Sequence, residues 1–286
     1  MSEGRRITKE RIAQFQEALH ENERSQATIE KYMRDLEKLV VFLDGEALDK
    51  EKLIAYKNWL QQCGCYRTAS INSFLAAVNY FCQTMGWHDL RIRTIRTQKE
   101  VFREENKYLT QREYNCLIET AIQERKYRLA LIMQTIGSTG IRISELQYID
   151  VACVYSGMTD IHCKGKIRRI LLPKSLQKLL KSYVKEQKLT QGPVFCTASG
   201  RPIDRSNIWR EMKNLCKQAG IDEQKVFPHN LRHLFAVCFY KKEKDIVKLA
   251  DVLGHSNIET TRIYMKSTGE EHRRILDEMG MILNIT

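Results

Sequence analysis

A chain of 286 residues with 47 Lys and Arg against 35 Asp and Glu, a net charge of +12, has the length of two domains and favours a polyanionic partner, nucleic acid first, over an acidic or neutral one. Its 43% hydrophobic and 29% charged content excludes an intrinsically disordered chain. No run approaches the ~20 apolar residues that span a bilayer, and charge alone leaves a solvated basic surface as the other reading.

The nine cysteines are odd in number and scattered, as expected of reduced, buried thiols. Cys63 and Cys65 enclose a single residue, too few for a zinc knuckle. The opening Met1 to Arg6 has no apolar core of signal-peptide length, so a cytoplasmic protein without membrane association is expected.

In chain order, residues 25 to 43 carry Ile29, Tyr32, Met33, Leu36, Leu39, Val40 and Leu43, a three-four spacing that puts one apolar stripe on a helix. Ser25 is the candidate N-cap. A second stripe runs through Ile71, Phe74, Leu75, Val78, Phe81 and Cys82, with a shorter helix at Ile54, Tyr56 and Leu60 between them. An all-helical N-terminal domain over residues 1–88 is expected. From Asp89 to Tyr108 the periodicity lapses while Arg91, Arg93, Arg96, Lys99, Arg103 and Lys107 follow one another. Residues 89–108 therefore read as a basic linker. It is either a strap that neutralises phosphates as the chain closes on a duplex or a solvated tether.

The second domain, 109–286, opens with Thr110 and Glu113 in a capping-box pattern ahead of Tyr114, Leu117, Ile118, Ala121 and Ile122, followed by an apolar helix from Leu129 to Ile136. Between Val151 and Leu172 the pattern changes to short β-like runs, Val151 to Tyr155, Thr159 to Cys163 and Ile167 to Leu172. Ser156-Gly157 and Lys164-Gly165-Lys166 break them, as turns would, so a small antiparallel sheet is expected. Helical spacing returns in Leu176 to Val184 and in Ile208 to Cys216, with Gly220 as a stop. Further helices fit 229–240, 244–253 ending at Gly254, 257–266, and a tail helix near 270–283. The fold class is mainly α with a small antiparallel β-sheet in the C-terminal domain.

Three segments concentrate polar chemistry in apolar surroundings. In Gly140-Ile141-Arg142-Ile143-Ser144-Glu145 a glycine turn delivers an arginine with a glutamate three residues on. This is either a bidentate phosphate clamp with its orienting carboxylate or a surface ion pair. In Pro228-His229-Asn230-Leu231-Arg232-His233 two histidines stand four apart. That spacing can hold zinc, but Asn230 replaces the glutamate of a metalloprotease helix and Arg232 would repel a cation. An anion suits the set better. In Gly254-His255 through Tyr264 a histidine precedes a tyrosine by nine residues. Tyr264 is one of twelve tyrosines, and a lone tyrosine on a helix is usually core.

Phosphoryl transfer needs a nucleophile, cations for the non-bridging oxygens and a proton donor for the leaving oxygen, and the three segments together supply all of them. A Gly-rich loop ending in Gly-Lys-Ser/Thr is absent, as is a carboxylate cluster suited to two metals. A metal-free mechanism follows, with no cofactor expected.

In this order the motifs resemble those of the tyrosine recombinase (phage integrase) family, which includes Xer-like recombinases. Thr139 to Leu146 is similar to its first arginine motif, Pro228 to His233 to its His-x-x-Arg box, and Leu253 to Ser256 followed by Tyr264 to its terminal box. Residues 25–85 resemble its helical core-binding domain, and the length upstream suits a two-domain member. The resemblance implies that Tyr264 attacks a backbone phosphate to leave a 3′-phosphotyrosyl link, with Arg142, Arg232 and His255 on the phosphate and His229 assisting proton movement. Cys163-Lys164-Gly165-Lys166 is similar to the family's β-hairpin lysine motif, which makes Lys164 the donor to the departing 5′ oxygen. Cys163 stands where many members have glycine, which leaves Lys166 as the competing assignment. The implied partners are double-stranded DNA and further copies of this chain in a homotetramer joined by the tail, whose Ile275, Leu276, Met279, Ile282 and Leu283 would otherwise pack in cis. Two other activities fit the same residues: a type IB topoisomerase and a non-catalytic DNA-binding regulator.

Overall fold

The computed structural model describes residues 4–96, 107–163, 166–197, 201, 203–265, 269–279 and 281. The chain divides into two compact units, Met1–Lys99 and Glu100–Thr286.

The N-terminal unit is built from α1 (Lys9–Glu21), α2 (Gln26–Leu43), α3 (Lys50–Gln62) and α4 (Thr68–Thr84), followed by a 3-10 turn at His88–Leu90. Capping explains where the helices begin: Thr8 Oγ1 accepts from Arg11 N at the head of α1, and Asp49 Oδ1 from Lys52 N, at 2.7 Å, at the head of α3. Ser25 precedes α2 but makes no such bond; its hydroxyl lies 2.8 Å from Thr28 Oγ1 instead. The four helices bury Phe15, Leu36, Leu39, Leu53, Leu75 and Phe81, and each such side chain contributes about 1.5–3 kcal/mol when fully removed from water.

The segment after His88 departs from a free tether. Leu90 and Ile92 are buried in this core. The Asn79 amide donates to Ile92 O and accepts from Ile92 N, both at 2.9 Å, and Asn72 does the same with Ile95 at 2.9 and 2.7 Å. Two asparagines on α4 thus replace the ladder partner that an extended backbone needs. Residues 97–106 of the expected linker lie outside the described residues.

In the C-terminal unit the Thr110–Glu113 capping box is complete, with Glu113 N 3.2 Å from Thr110 Oγ1 and Thr110 N 2.8 Å from the Glu113 carboxylate. It opens α5 (Gln111–Gln123). α6 (Tyr127–Thr139) buries Leu129, Ile132, Met133 and Ile136 and is followed by a 3-10 helix, Ile143–Tyr148. Residues 151–155, expected as a strand, form α7 (Val151–Ser156). Asp150 Oδ1 accepts from Cys153 N at 2.7 Å and Gly157 closes the helix at φ +79°. Caps at both ends override the β preference of two valines and a tyrosine.

The sheet is one antiparallel hairpin, β1 (Met158–Cys163) and β2 (Lys166–Leu171), with Ile161 opposite Arg168 and Cys163 opposite Lys166. Beyond it come α8 (Lys174–Glu186), α9 (Arg205–Ala219), α10 (Pro228–Glu243) and α11 (Ile246–Leu253). The predicted helix 257–266 divides into α12 (Ile258–Thr261) and a 3-10 turn, Arg262–Met265, before α13 (Gly269–Glu278). Gly140, Gly220 and Gly254 each close a helix in the left-handed conformation. Among the described residues no helix is long and apolar enough to cross a membrane.

Candidate active site

Five of the six residues singled out by sequence lie on three pieces of the C-terminal unit: the turn after α6, the first turns of α10, and the chain from Gly254 to Met265. Lys164 lies outside the described residues, and Lys166 is placed only through its backbone, at the start of β2.

The turn after α6 depends on Gly140. Its φ is +67°, and a Cβ there would stand 2.4 Å from Phe235 Cδ1 on α10, so both the conformation and the close approach require glycine. The chain then delivers Arg142, whose side chain is 42% exposed, to the head of the 3-10 helix. Glu145, with its side chain only 4% exposed, accepts from Arg142 Nη1 at 2.9 Å and from Arg142 N at 2.8 Å. The same carboxylate pairs with Arg168 of β2. Arg168 Nη1 also donates to Val252 O at 3.0 Å, and its Cδ lies where a Cβ on Gly254 would fall, 2.6 Å away. The hairpin is therefore joined to the first arginine motif and to the end of α11 through one side chain.

Pro228 sits in the first turn of α10, where its fixed φ suits the helix and its missing N–H leaves no bond unmade. One turn on, Arg232 is 2% exposed. Its Nη1 donates to Gly140 O at 2.6 Å, its Nη2 to Leu253 O at 2.7 Å, and Nη2 also lies 3.0 Å from His255 Nε2. Both carbonyls belong to helix ends, where unpaired acceptors and the negative end of the macrodipole favour a cation. Burial, then the charge of Arg142, lowers the Arg232 pKa to about 10 while the Tyr264 phenol and Glu145 act the other way. Arg232 stays cationic at neutral pH.

His255 is set between Arg232 and Thr261, with Nδ1 2.9 Å from Thr261 Oγ1. Burial is the largest cause of its lowered pKa, about 4, followed by Arg232, Arg142, Arg168 and His229. His229, whose side chain still reaches solvent, is likewise held below the usual imidazole range by the protein packed around its ring, then by Arg232 and Arg142. Tyr264 is 5% exposed and packs with Ala236, Val237, Leu249 and Leu253. Its ring lies 6.1 Å from that of His255, nearly parallel, and 5.1 Å edge-on from that of His233. His233 itself stacks on Tyr108 at 3.9 Å, so the second histidine of the zinc-spaced pair belongs to an aromatic stack. Among the described residues no group of three His, Cys, Asp or Glu side chains is arranged to hold a metal ion.

The charge of Arg232 thus acts on the Tyr264 phenol, and Arg142 and Arg168 lie close enough to act on Arg232 and His255, a cationic field that favours an anion. Residues 107–271 match the model of the phage integrase family, and residues 12–88 match that of the phage integrase N-terminal SAM-like domain. The chain belongs to the phage integrase family. It is a Xer-like tyrosine recombinase. A tyrosine recombinase XerD from Staphylococcus saprophyticus is 27% identical over 274 residues, 89% of this chain and 92% of that protein. The crystal structure of XerA recombinase aligns with a TM-score of 0.53 at 25% identity, over 97% of this chain and all of that one. A lambda integrase dimer bound to a COC′ core site aligns at a TM-score of 0.73 and 17% identity, over 92% and 96%, a likeness of fold.

Two residues of this tyrosine recombinase that hold the site together were not singled out by sequence reasoning: Arg168 and Thr261. A signal existed for Arg168. Strand alternation puts it on the same face as Ile170 and opposite Ile161, both buried, while Ile167, Arg169 and Leu171 face out. Thr261 had none, since buried threonines are common in short helices that pack on a core.

Proposed function

We propose that this recombinase cuts and rejoins double-stranded DNA at specific sites through a covalent bond to Tyr264. The phenol oxygen attacks the scissile phosphorus, the bond to the 5′ oxygen breaks, and a 3′-phosphotyrosyl link and a free 5′ hydroxyl result. Attack by a 5′ hydroxyl from a partner strand reverses the step. Bond energy is kept in the covalent link, so the cycle requires neither ATP nor a metal.

The observation that carries this reading is the buried Arg232 guanidinium, joined to His255 at 3.0 Å, with the Tyr264 ring alongside both. Arg232, Arg142 and His255 bind the non-bridging oxygens. A phenol with an unperturbed pKa of about 10 must lose its proton as it attacks; His229, kept neutral at physiological pH, takes part in that transfer. Lys164 on the hairpin turn protonates the departing 5′ oxygen, with Lys166 as the second assignment.

Assembly is read from the tail. Ile275, Leu276, Met279 and Met281 are 49%, 54%, 59% and 80% exposed, an apolar set that its own unit leaves uncovered. We assign it to contacts between protomers of a tetramer on DNA. We assign the work to the cytoplasm, where reduced thiols persist, a reading supported by Cys82, Cys153 and Cys216, which are buried as free thiols. The test is a reaction on plasmids carrying two copies of a duplex obtained by covalent capture from a random library. Exchange between the copies supports recombination, whereas relaxation of supercoils without exchange would assign the chain to topoisomerase chemistry.

A further inference from the structure

We infer that Arg168 is a positioning residue for the phosphate clamp: it cancels the charge of Glu145 from one side, so that Arg142, on the other side of the same carboxylate, keeps a net positive charge for a phosphate. The cleavage rates expected from this inference rest on the recombinase reading; the charge balance does not.

A buried carboxylate beside a single arginine makes a neutral pair, which offers little attraction to an approaching anion. Glu145 is not in that state. Its side chain is only 4% exposed, so water screens it weakly and the charges beside it set the local field. Oε1 accepts from Arg142 Nη1 at 2.9 Å, while Oε2 accepts from Arg142 N at 2.8 Å and pairs with Arg168 Nη2. Two guanidinium groups therefore share one carboxylate, and one positive charge is left over. The side chain of Arg142 is 42% exposed and that of Arg168 11%, so the surplus charge meets solvent on Arg142.

Arg168 is fixed in this place by its strand and by the end of α11. It lies in β2 opposite Ile161 of β1. Its Nη1 donates to Val252 O at 3.0 Å, in the last turn of α11, where carbonyls lack a partner within the helix. Its Cδ fills the space beside Gly254 that any larger residue would need, since a Cβ there would fall 2.6 Å away. With one guanidinium nitrogen on Val252 and the other on Glu145, Arg168 acts on the phosphate through Glu145 rather than by reaching it. The next residue does different work. Arg169, whose side chain is 63% exposed, takes both oxygens of Asp160 on the outer face of the hairpin, and such a surface pair contributes little.

The test uses the full chain and saturating captured duplex. Arg168→Met removes the charge and keeps most of the length. Its single-turnover cleavage is expected to fall about tenfold, a cost typical of losing a group that supports a functional side chain from behind. Adding Glu145→Gln removes the uncancelled carboxylate charge while leaving an amide oxygen for Arg142, and is expected to return most of the rate. A packing role alone predicts a further fall instead. Arg168→Lys, which keeps the charge, is expected to stay closer to wild type than Arg168→Met. In parallel, the 15N side-chain signal of Arg142, assigned by its loss in Arg142→Ala, is followed during titration of the DNA-free chain with inorganic phosphate. The midpoint is expected to rise by a similar factor in Arg168→Met and to fall back in the double variant. A folded Arg168→Met with wild-type rate and midpoint, or a double variant no better than Arg168→Met, would overturn the inference. If Arg168→Met does not fold, the double variant decides: a rate near wild type supports the inference, and one as low as that of Arg142→Ala overturns it. If wild type forms no covalent adduct, the recombinase reading fails and the phosphate titration decides alone, an Arg142 signal indifferent to phosphate or to Arg168 being the contrary result.

Discussion

Glu145 holds Arg142 and Arg168 at once, taking Arg142 Nη1 at 2.9 Å on one oxygen and pairing with Arg168 through the other. The two cations differ in exposure, 42% for the Arg142 side chain and 11% for that of Arg168. Removing the carboxylate takes this counter-charge from the more buried one. Breaking a buried pair from one side typically costs about 3–5 kcal/mol, so Glu145→Ala is expected to lower the unfolding free energy towards that range in urea titrations. An unchanged midpoint would show that the pair carries no structural weight.

Arg142 and Arg232 should separate in a different way. Loss of one preorganised charge partner in a transition state costs about 2.7–4 kcal/mol, so Arg142→Ala and Arg232→Ala are each expected to slow cleavage at least 100-fold while duplex binding stays close to normal. Arg232→Ala also leaves the Gly140 and Leu253 carbonyls without their donor. It should therefore be less stable than wild type by about 1–3 kcal/mol, whereas Arg142→Ala should not. Cleavage by either variant at the wild-type rate would remove that arginine from the phosphate clamp.

The fold's stability should fall on acidification in a window set by His255. Its pKa is about 4 in the folded chain against an ordinary 6.5, because of burial and because Arg232, Arg142, Arg168 and His229 face it. The unfolded state therefore takes up the proton first as pH falls. The stabilisation is complete above 6.5 and is lost progressively towards 4, by at most about 3 kcal/mol for this one ring. His229, lowered in the same direction, adds to the slope. Urea unfolding across that range should show a steeper loss for wild type than for His255→Gln; equal slopes would contradict the assignment.

How far these features can be read from residues alone differs from place to place. Caps and breakers were legible because they act within one turn: Thr110 with Glu113, Pro228, and the glycines at 140, 220 and 254 all do what their chemistry requires. The stretch 151–155 misled because valine and tyrosine favour strands while the deciding cap, Asp150, lies just before the run. α1 left only a faint pattern, since Phe15 and Leu19 are its only buried residues. The positions of Arg142, Arg232, His255 and Tyr264 were legible from motif order, but not the contacts among them. The bonds that fix Arg232, to Gly140, Leu253 and His255, run between residues 21 to 92 apart in sequence, where local periodicity is silent.

The tail offers a separable prediction. Because Ile275, Leu276 and Met279 are exposed, deletion of residues 270–286 is expected to leave thermal stability unchanged and binding to a single half-site intact. Assembly of the four-protomer complex on DNA, followed by native gel or light scattering, should be lost. Recombination at the wild-type level by the truncated chain would refute the tail's assignment.

A covalent bond from Tyr264 to DNA can be trapped and read directly. Incubation with a nicked duplex carrying the captured site, followed by denaturing electrophoresis and mass analysis of the trapped peptide, should give a protein–DNA adduct on Tyr264 with wild type and none with Tyr264→Phe. An adduct that persists in Tyr264→Phe, or one mapped to another of the twelve tyrosines, would contradict the account.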